Sequence, residues 1–265
     1  MNSNGYRPDI RAVFFDIDRT LLSHTNGIKR VPPSAKMALD RLREKGIAIY
    51  IATGRHLKEL KGLPLGGLDF DGYATLNGQL CLDRDLKPVY RNFIRGEDKE
   101  TLVSLFREKS FPLIFVEEEG MYLNCLNDRV RGVQKDVTSP LPPVRDYDGG
   151  DIYMAAAFLP DGARELKERF PQLKIVRWHT NGADILPADS GKHMGIQAFI
   201  KRTGITREQV MAFGDEENDI DMIRYAGIGV AMGNAAEEVR QAADYVTDHI
   251  DDDGLEKALR HYGLL

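Results

Sequence analysis

The chain has 265 residues, of which 42% are hydrophobic and 29% charged, and its net charge is −5 at pH 7. This composition is typical of a globular protein with one or two domains and excludes disordered, fibrous and membrane chains. The acidic balance also argues against nucleic acid and membrane surfaces as partners, although a small anion can still bind locally.

The first predicted element is a buried strand, the apolar run Ala12–Phe15, which ends in Asp16 and Asp18. In an open α/β sheet, ligands bind beyond the carboxyl ends of the strands, so these two carboxylates are candidates for a site. Taken alone, the pair is explained equally well by one aspartate that caps a turn and another that is solvated.

A helix and a second buried strand follow. A proline pair begins the helix, which ends before Gly46, and the strand Ile47–Ala52 ends in Thr53 and Gly54. This order predicts a parallel βαβ unit, which places the ends of both strands at one edge of the sheet. Thr53 is therefore expected near Asp16, although Thr-Gly by itself is more often a turn.

The pattern changes after a third predicted strand, Gly72–Leu76. The elements predicted next are a helix at 97–109, strands at 113–116, 121–125 and 152–158, a helix at 163–170, and strands at 174–178 and 184–186. Neighbouring strands joined by short turns favour an antiparallel sheet with helices on one face. We therefore predict an inserted α+β domain at 83–188. Within it, the acidic run Glu117–Glu119 is expected to be a solvated face or a helix start, because like charges repel each other and need water.

The alternation of strands and helices returns after the insertion. A buried strand at 210–213 is followed by Asp215 and Asp219, and further strand and helix pairs extend towards the end of the chain. Residues 1–82 and 189–265 are therefore predicted to form one discontinuous core, an α/β fold with a Rossmann-like parallel sheet.

Several carboxylates are predicted to meet at one edge of this sheet. Those that follow its strands are Asp16, Asp18, Asp215 and Asp219. Carboxylates that are forced together repel each other, so either their pKa values rise or a cation neutralises them. Mg²⁺ prefers hard oxygen ligands and is bound through one or two carboxylates, waters and substrate phosphate. The sequence thus predicts a Mg²⁺ site.

Lys192 stands at the predicted start of a helix, directly after Ser190 and Gly191. A lysine in such a position is usually a solvated surface charge. A compact cation near a helix N-terminus nevertheless suits an anionic ligand, because the free backbone N–H groups add hydrogen-bond donors. Together with Thr53 and a metal ion, Lys192 would form a pocket for a phosphoryl group.

The cysteines and the N-terminal residues indicate a location in the cytoplasm. Cys81 and Cys125 have no metal-like or redox spacing, so both are expected to be reduced thiols. Residues 1–11 lack the apolar segment of a signal peptide, and no apolar run is long enough to cross a bilayer.

The residues at these strand ends resemble the motifs of the haloacid dehalogenase superfamily, specifically of its Cof-type phosphatases with a large inserted cap. The matching segments are Asp16-Ile17-Asp18-Arg19-Thr20 for D-x-D-x-T, Thr53 after the second strand, Lys192, and Gly214-Asp215-Glu216-Glu217-Asn218-Asp219 for G-D-x-x-N-D. Each motif alone is weak, but four in order with the right strand context are strong. The resemblance spans nearly the whole chain and identifies the insertion at 83–188 as an α+β cap domain.

This resemblance implies hydrolysis of small phosphorylated metabolites, such as sugar phosphates, through an aspartyl-phosphate intermediate. Asp16 would be the nucleophile, and Asp18 would protonate the leaving group and later act as base. The phosphoryl oxygens would be held by Thr53, Lys192, Asn218 and the backbone N–H groups of Ile17 and Gly54. Mg²⁺ would be held by Asp16, the backbone carbonyl of Asp18, and Asp215, with Asp219 as a direct or indirect ligand.

Alternatives remain open at this point. A phosphomutase or phosphonatase of the same superfamily shares the nucleophile, and a non-enzymatic phospho-acceptor or ligand-binding protein can use a similar group of residues. The second aspartate of the first motif and the large cap favour turnover. Arg19 stands where the family has glycine, so its backbone either takes an ordinary φ or accepts some strain. Arg19 could alternatively reach towards the cap or substrate.

Overall fold

The computed structural model describes residues 8–27, 29–136, 140–160 and 163–265. In chain order, its strands are β1 (Ala12–Phe15), β2 (Ala48–Ala52), β3 (Gly72–Thr75), β4 (Leu80–Asp83), β5 (Pro88–Arg91), β6 (Leu113–Glu117), β7 (Gly120–Leu123), β8 (Met154–Ala157), β9 (Leu173–His179), β10 (Gly182–Pro187), β11 (Val210–Gly214), β12 (Ile228–Ala231) and β13 (Tyr245–Val246). Its helices are α1 (Pro33–Glu44), α2 (Leu57–Leu60), α3 (Gly96–Glu108), α4 (Asp128–Asp136), α5 (Ala163–Arg169), α6 (Lys192–Thr203), α7 (Ile220–Tyr225), α8 (Glu237–Ala242) and α9 (Gly254–His261).

The chain divides into two compact units, one formed by the residues up to Arg91 together with Gly191–Leu265, and the other by Asn92–Ser190. The first unit is built on a sheet whose strands lie in the order β13-β12-β11-β1-β2-β3-β4-β5. The strands from β13 to β3 pair in parallel, and β4 and β5 extend the sheet in antiparallel pairing. Because β1 lies between β11 and β2, residues that follow these three strands meet at one edge of the sheet.

Both faces of this sheet are covered by helices, which explains why β1 is apolar throughout. Val13 and Phe15 pack with residues of α1 and α9, whereas Ala12 and Phe14 pack with residues of α6 and α7. All four side chains are fully buried. A parallel strand covered on both faces reads as a continuous apolar run, so the acids that follow it stand out in the sequence. The predicted fold class, a Rossmann-like parallel-sheet core with an inserted α+β domain, is confirmed.

The N-terminus of α6 is held tightly against the end of β3. A Cβ atom added at Gly78, whose φ is +83°, would lie 2.3 Å from the carbonyl oxygen of Gly191, and one at Gly195 would lie 2.3 Å from Cβ of Ala74. Glycine is therefore required at these two close approaches. They fix the position of Lys192, the first residue of α6.

The second unit contains an antiparallel sheet in the order β7-β6-β8-β10-β9. Residues of α3 and α5 pack on it in one apolar cluster. The unit begins at Asn92 rather than at 83, because β4 and β5 belong to the core sheet. The expectation for Glu117 is wrong: its side chain is buried and accepts a hydrogen bond from the Tyr122 hydroxyl at 2.5 Å. No helix within the described residues combines the length and hydropathy of a membrane span.

Candidate active site

Three carboxylates from distant parts of the sequence meet at the edge of the core sheet. Asp16 follows β1, Asp215 follows β11, and Asp219 lies one turn later. One carboxylate oxygen of each lies within 4.8 Å of the others, and all three residues are buried. The structure thus brings together three of the four aspartates that were predicted to bind metal.

Lys192 lies among these acids. Its Nζ atom is 2.6 Å from Oδ1 of Asp16 and 2.6 Å from Oδ1 of Asp219, and its side chain is fully buried. A buried ammonium group is retained only where acceptors pair with it, because its desolvation is costly. The alternative that Lys192 is a solvated surface charge is therefore excluded.

Burial and mutual repulsion raise the pKa values of Asp16 and Asp215. Burial raises the pKa of Asp16 well above its ordinary value, with Lys192 opposing and Asp219 adding to the effect. Burial and then the Asp219 charge raise the pKa of Asp215 to about 7. Burial also disfavours the Lys192 cation, but Asp16 and Asp219 outweigh this and raise its pKa. The ammonium group of Lys192 pairs with two of the three acids, and a divalent cation would neutralise the excess negative charge.

The donor set fits a metal ion. Oδ1 of Asp215 accepts the Thr20 hydroxyl at 3.0 Å, whereas its buried Oδ2 accepts no hydrogen bond from the described residues. A buried carboxylate oxygen without a hydrogen bond, beside further carboxylates, is suited to a hard cation. Asp219 differs, because its Oδ1 pairs with Lys192 and its Oδ2 accepts the N–H groups of Asp215 and Glu216 at 2.9 and 3.0 Å. Asp219 thus also fixes the loop after β11.

The carboxylate of Asp18 lies outside this acid cluster and has partners of its own. Nε and Nη2 of Arg55 donate to its two oxygens at 2.5 and 2.7 Å, and Nε2 of His24 lies 3.0 Å from Oδ1. Burial raises the pKa of Asp18, but the hydrogen bonds and charge of Arg55 outweigh burial, and the pKa is lowered. The predicted metal contact of Asp18 through its backbone carbonyl stays a prediction.

A cleft of about 280 Å³ opens beside the acids. Its lining residues are Asp16, Asp18, Thr53, Gly54, Arg55, Glu59, Glu216 and Asn218. Nδ2 of Asn218 donates to Oδ1 of Asn77 at 3.1 Å, and a Cβ atom at Gly54 would lie 3.2 Å from the same oxygen. Of the residues predicted to hold phosphoryl oxygens, Thr53, Gly54 and Asn218 line this cleft. The Ile17 side chain is buried in the apolar core, so only its backbone is available for such a role.

Sequence reasoning missed several residues at or beside this cleft. Arg55 directly follows Thr53 and Gly54, so the argument that placed Thr53 at the sheet edge extends to it. Asn77 comes shortly after β3, whose end lies at the same edge, but Asn-Gly was interpreted only as a turn. Glu59 belongs to the short helix α2, which is too short to show a periodic pattern.

The backbone of Arg19 is strained, which is one of the alternatives that the sequence left open. Its φ is +62°, in the left-handed region. Its Nη2 donates to the carbonyl oxygen of Asn234 at 3.0 Å, and the Asn234 side chain donates back to the carbonyl oxygen of Arg19 at 2.9 Å. Its Nη1 lies 3.4 Å from Oε1 of Glu216, and its Nε lies 3.5 Å from Oδ2 of Asp215. These partners all belong to the first unit.

Sequence and structure comparisons agree with this geometry. Residues 13–259 match the family model of the haloacid dehalogenase-like hydrolases. The Bacillus subtilis (strain 168) protein named "Putative phosphatase YkrA" is 31% identical over 261 residues, which cover 97% of this chain and 99% of that protein. The structure of BT1666 from Bacteroides thetaiotaomicron, described among phosphatases of the HAD superfamily, is 34% identical with a TM-score of 0.85, covering 99% and 100% of the two chains. The HAD subclass IIB sugar phosphatase BT4131 is 36% identical with a TM-score of 0.78, covering 96% and 100%.

Proposed function

Because this chain is a phosphatase of the haloacid dehalogenase-like hydrolase family, we propose that it hydrolyses small phosphorylated metabolites, such as sugar phosphates, with Mg²⁺ and through an aspartyl-phosphate. The observation that carries the proposal is the buried cluster of Asp16, Lys192, Asp215 and Asp219 beside a cleft that also holds Asp18. The similarity to the sugar phosphatase BT4131 supports the substrate class.

The proposed reaction has two steps. A carboxylate oxygen of Asp16 attacks phosphorus in line, the bond to the leaving oxygen breaks, and Asp18 gives that oxygen a proton. Water then attacks phosphorus of the aspartyl-phosphate, Asp18 takes up the proton of the water, and phosphate leaves as the Asp16 carboxylate is restored. Since Asp18 lies outside the acid cluster, its carboxyl group can serve both steps without being a metal ligand.

The remaining site residues would bind the metal ion and the phosphoryl group. Asp16, Asp215 and the backbone carbonyl of Asp18 are proposed to hold Mg²⁺, while Asp219 orders the loop that carries Asp215. The bound cation would neutralise part of the negative charge of carboxylate and phosphate. The phosphoryl oxygens would be held by Thr53, Asn218, Lys192 and the N–H groups of Ile17 and Gly54. The inserted α+β unit is proposed to determine which substrates are accepted. The reaction is proposed to take place in the cytoplasm.

A phosphate-release screen tests this function. Sugar phosphates, nucleotides, flavin phosphate and pyridoxal phosphate are incubated with the protein in Mg²⁺, in EDTA, and in EDTA followed by excess Mg²⁺. We expect release from one or more sugar phosphates that stops in EDTA and returns with Mg²⁺. A rate that EDTA leaves unchanged would contradict the metal assignment. A phosphorylated protein that persists for hours without release would favour the phospho-acceptor, and conversion of one phosphate ester into an isomer would favour a phosphomutase.

The pH dependence of kcat/KM tests the role of Asp18. Replacing Arg55 with alanine removes the cation that stabilises the ionised form of Asp18, so the pKa of Asp18 should rise. If Asp18 must be protonated to act as the acid, the basic limb of the pH profile should move to higher pH in Arg55→Ala. Arg145→Ala, which alters an arginine in the inserted unit, should leave the limb in place. A basic limb that stays in place or moves to lower pH in Arg55→Ala would argue against Asp18 as the acid.

A further inference from the structure

Arg19 places a positive charge against the carboxylate oxygen that best fits a metal ligand. Its Nε lies 3.5 Å from Oδ2 of Asp215, the oxygen that accepts no hydrogen bond from the described residues. Its Nη1 lies 3.4 Å from Glu216, the next residue in the same loop. The buried cation Lys192 contacts Asp16 and Asp219 instead. Lys192 therefore pairs with Asp16 and Asp219, whereas Arg19 is the cation that faces Asp215.

The guanidinium group of Arg19 is held in this position by the loops around it. Nη2 donates to the carbonyl oxygen of Asn234 after β12, and Asn234 donates back to the backbone of Arg19. Oδ1 of Asn234 accepts the N–H group of Ile250, which anchors the amide. Glycine would adopt the observed φ of +62° at lower cost, so the contacts of the side chain offset a strained backbone. These contacts place the positive charge of Arg19 beside Asp215.

We propose that Arg19 is a positioning residue that neutralises Asp215 in the metal-free protein and thereby weakens the affinity of the site for a divalent cation. The inference rests on the proposed metal site at Asp16 and Asp215. A metal ion that takes up Oδ2 of Asp215 must approach a fixed positive charge, and like charges at such distances repel. The side chain of Arg19 is 46% exposed, so solvent and salt reduce the repulsion without removing it.

Isothermal titration of the full chain with Mg²⁺ at low ionic strength tests this proposal. We expect Arg19→Met and Arg19→Gly to bind Mg²⁺ about fivefold more tightly than the unaltered protein, which is the effect of about one exposed unit charge. Arg19→Lys, which keeps the charge, should stay within about twofold. At about 0.5 M salt, the difference between Arg19→Met and the unaltered protein should shrink, because the Debye length shortens to about 4 Å and the exposed charge of Arg19 is screened more strongly.

Arg240→Met is the matched control. Arg240 also donates to a carbonyl oxygen of the loop after β12, that of Gly233, and its charge pairs with Glu237 outside the acid cluster. Its Mg²⁺ affinity should be unchanged. Equal or weaker binding in both Arg19→Met and Arg19→Gly would overturn the proposal, as would tightening in Arg19→Gly alone, since relief of backbone strain would then explain it.

The binding data also separate this inference from the proposed function. Asp215→Asn should greatly weaken Mg²⁺ binding if Asp215 is a ligand. Unchanged binding in Asp215→Asn would show that the metal site itself is assigned wrongly. If Asp215→Asn binds Mg²⁺ weakly while Arg19→Met and Arg19→Gly bind it as the unaltered protein does, only the role of Arg19 is overturned.

Discussion

Replacing Asp16 with asparagine is expected to lower the rate of phosphate release by about 10⁴-fold or more while the fold stays intact. An amide oxygen is a far weaker nucleophile than a carboxylate and cannot form a stable acyl phosphate at this position. The amide oxygen can still accept the hydrogen bond from Lys192, which lies 2.6 Å from Oδ1 of Asp16, so the site should keep its geometry. Single-turnover phosphate release, with thermal unfolding as a check on folding, measures the effect.

Asp71→Asn provides the control for this experiment. Asp71 accepts the N–H group of Ile49 at 2.8 Å near the start of β2, the end of the strand opposite to the site. An asparagine can accept the same hydrogen bond, so the rate should stay within about twofold. If the Asp16→Asn protein retained a tenth or more of the activity, Asp16 could not be the nucleophile.

Replacing Lys192 with methionine should lower the free energy of unfolding by about 3–5 kcal/mol in EDTA at pH 8. Methionine preserves much of the side-chain volume but leaves Asp16 and Asp219 buried without their shared cation. Mg²⁺ should restore part of the lost stability, because a cation that binds only the native acid cluster stabilises the folded state. Urea denaturation with and without Mg²⁺ measures both effects, and phosphate release should fall as well.

Lys201→Met is the matched control, since Lys201 lies on the same helix, α6, but is exposed. Its free energy of unfolding should change by no more than about 0.5 kcal/mol. If the free energy of unfolding in EDTA is the same for Lys192→Met and the unaltered protein, the ammonium group does not compensate the charge of the buried carboxylates.

The arrangement of strands and strand ends was predictable from local sequence. Apolar runs that end abruptly in polar residues predicted β1, β2 and β11, and parallel pairing placed Asp16, Thr53 and Asp215 at one edge of the sheet. A strand buried on both faces has no polar alternation, so the change to polar residues is a clear signal of its end. The discontinuous core and the α/β class follow from the same pattern.

The assignment of strands to sheets was less predictable. Residues 83–91 were placed in the insertion, whereas β5 pairs with β4 in the core sheet. The helix α4 was not predicted, because within its nine residues only Val130, Val133 and Gln134 are buried, too few for a periodic apolar face. Pairing between strands depends on contacts outside each segment, so a local pattern does not show which sheet a strand joins.

The sequence by itself determined which residues stand at the ends of the core strands, because apolar periodicity and parallel topology are local and regular. Only the tertiary structure decided which charges meet. Lys192 and Asp16 are 176 positions apart, yet their side chains are in contact, and Arg19 reaches Asp215 across a similar separation. Electrostatic pairing depends on distances of a few Å between side chains, and such distances exist only once the loops that follow separate strands have been packed together.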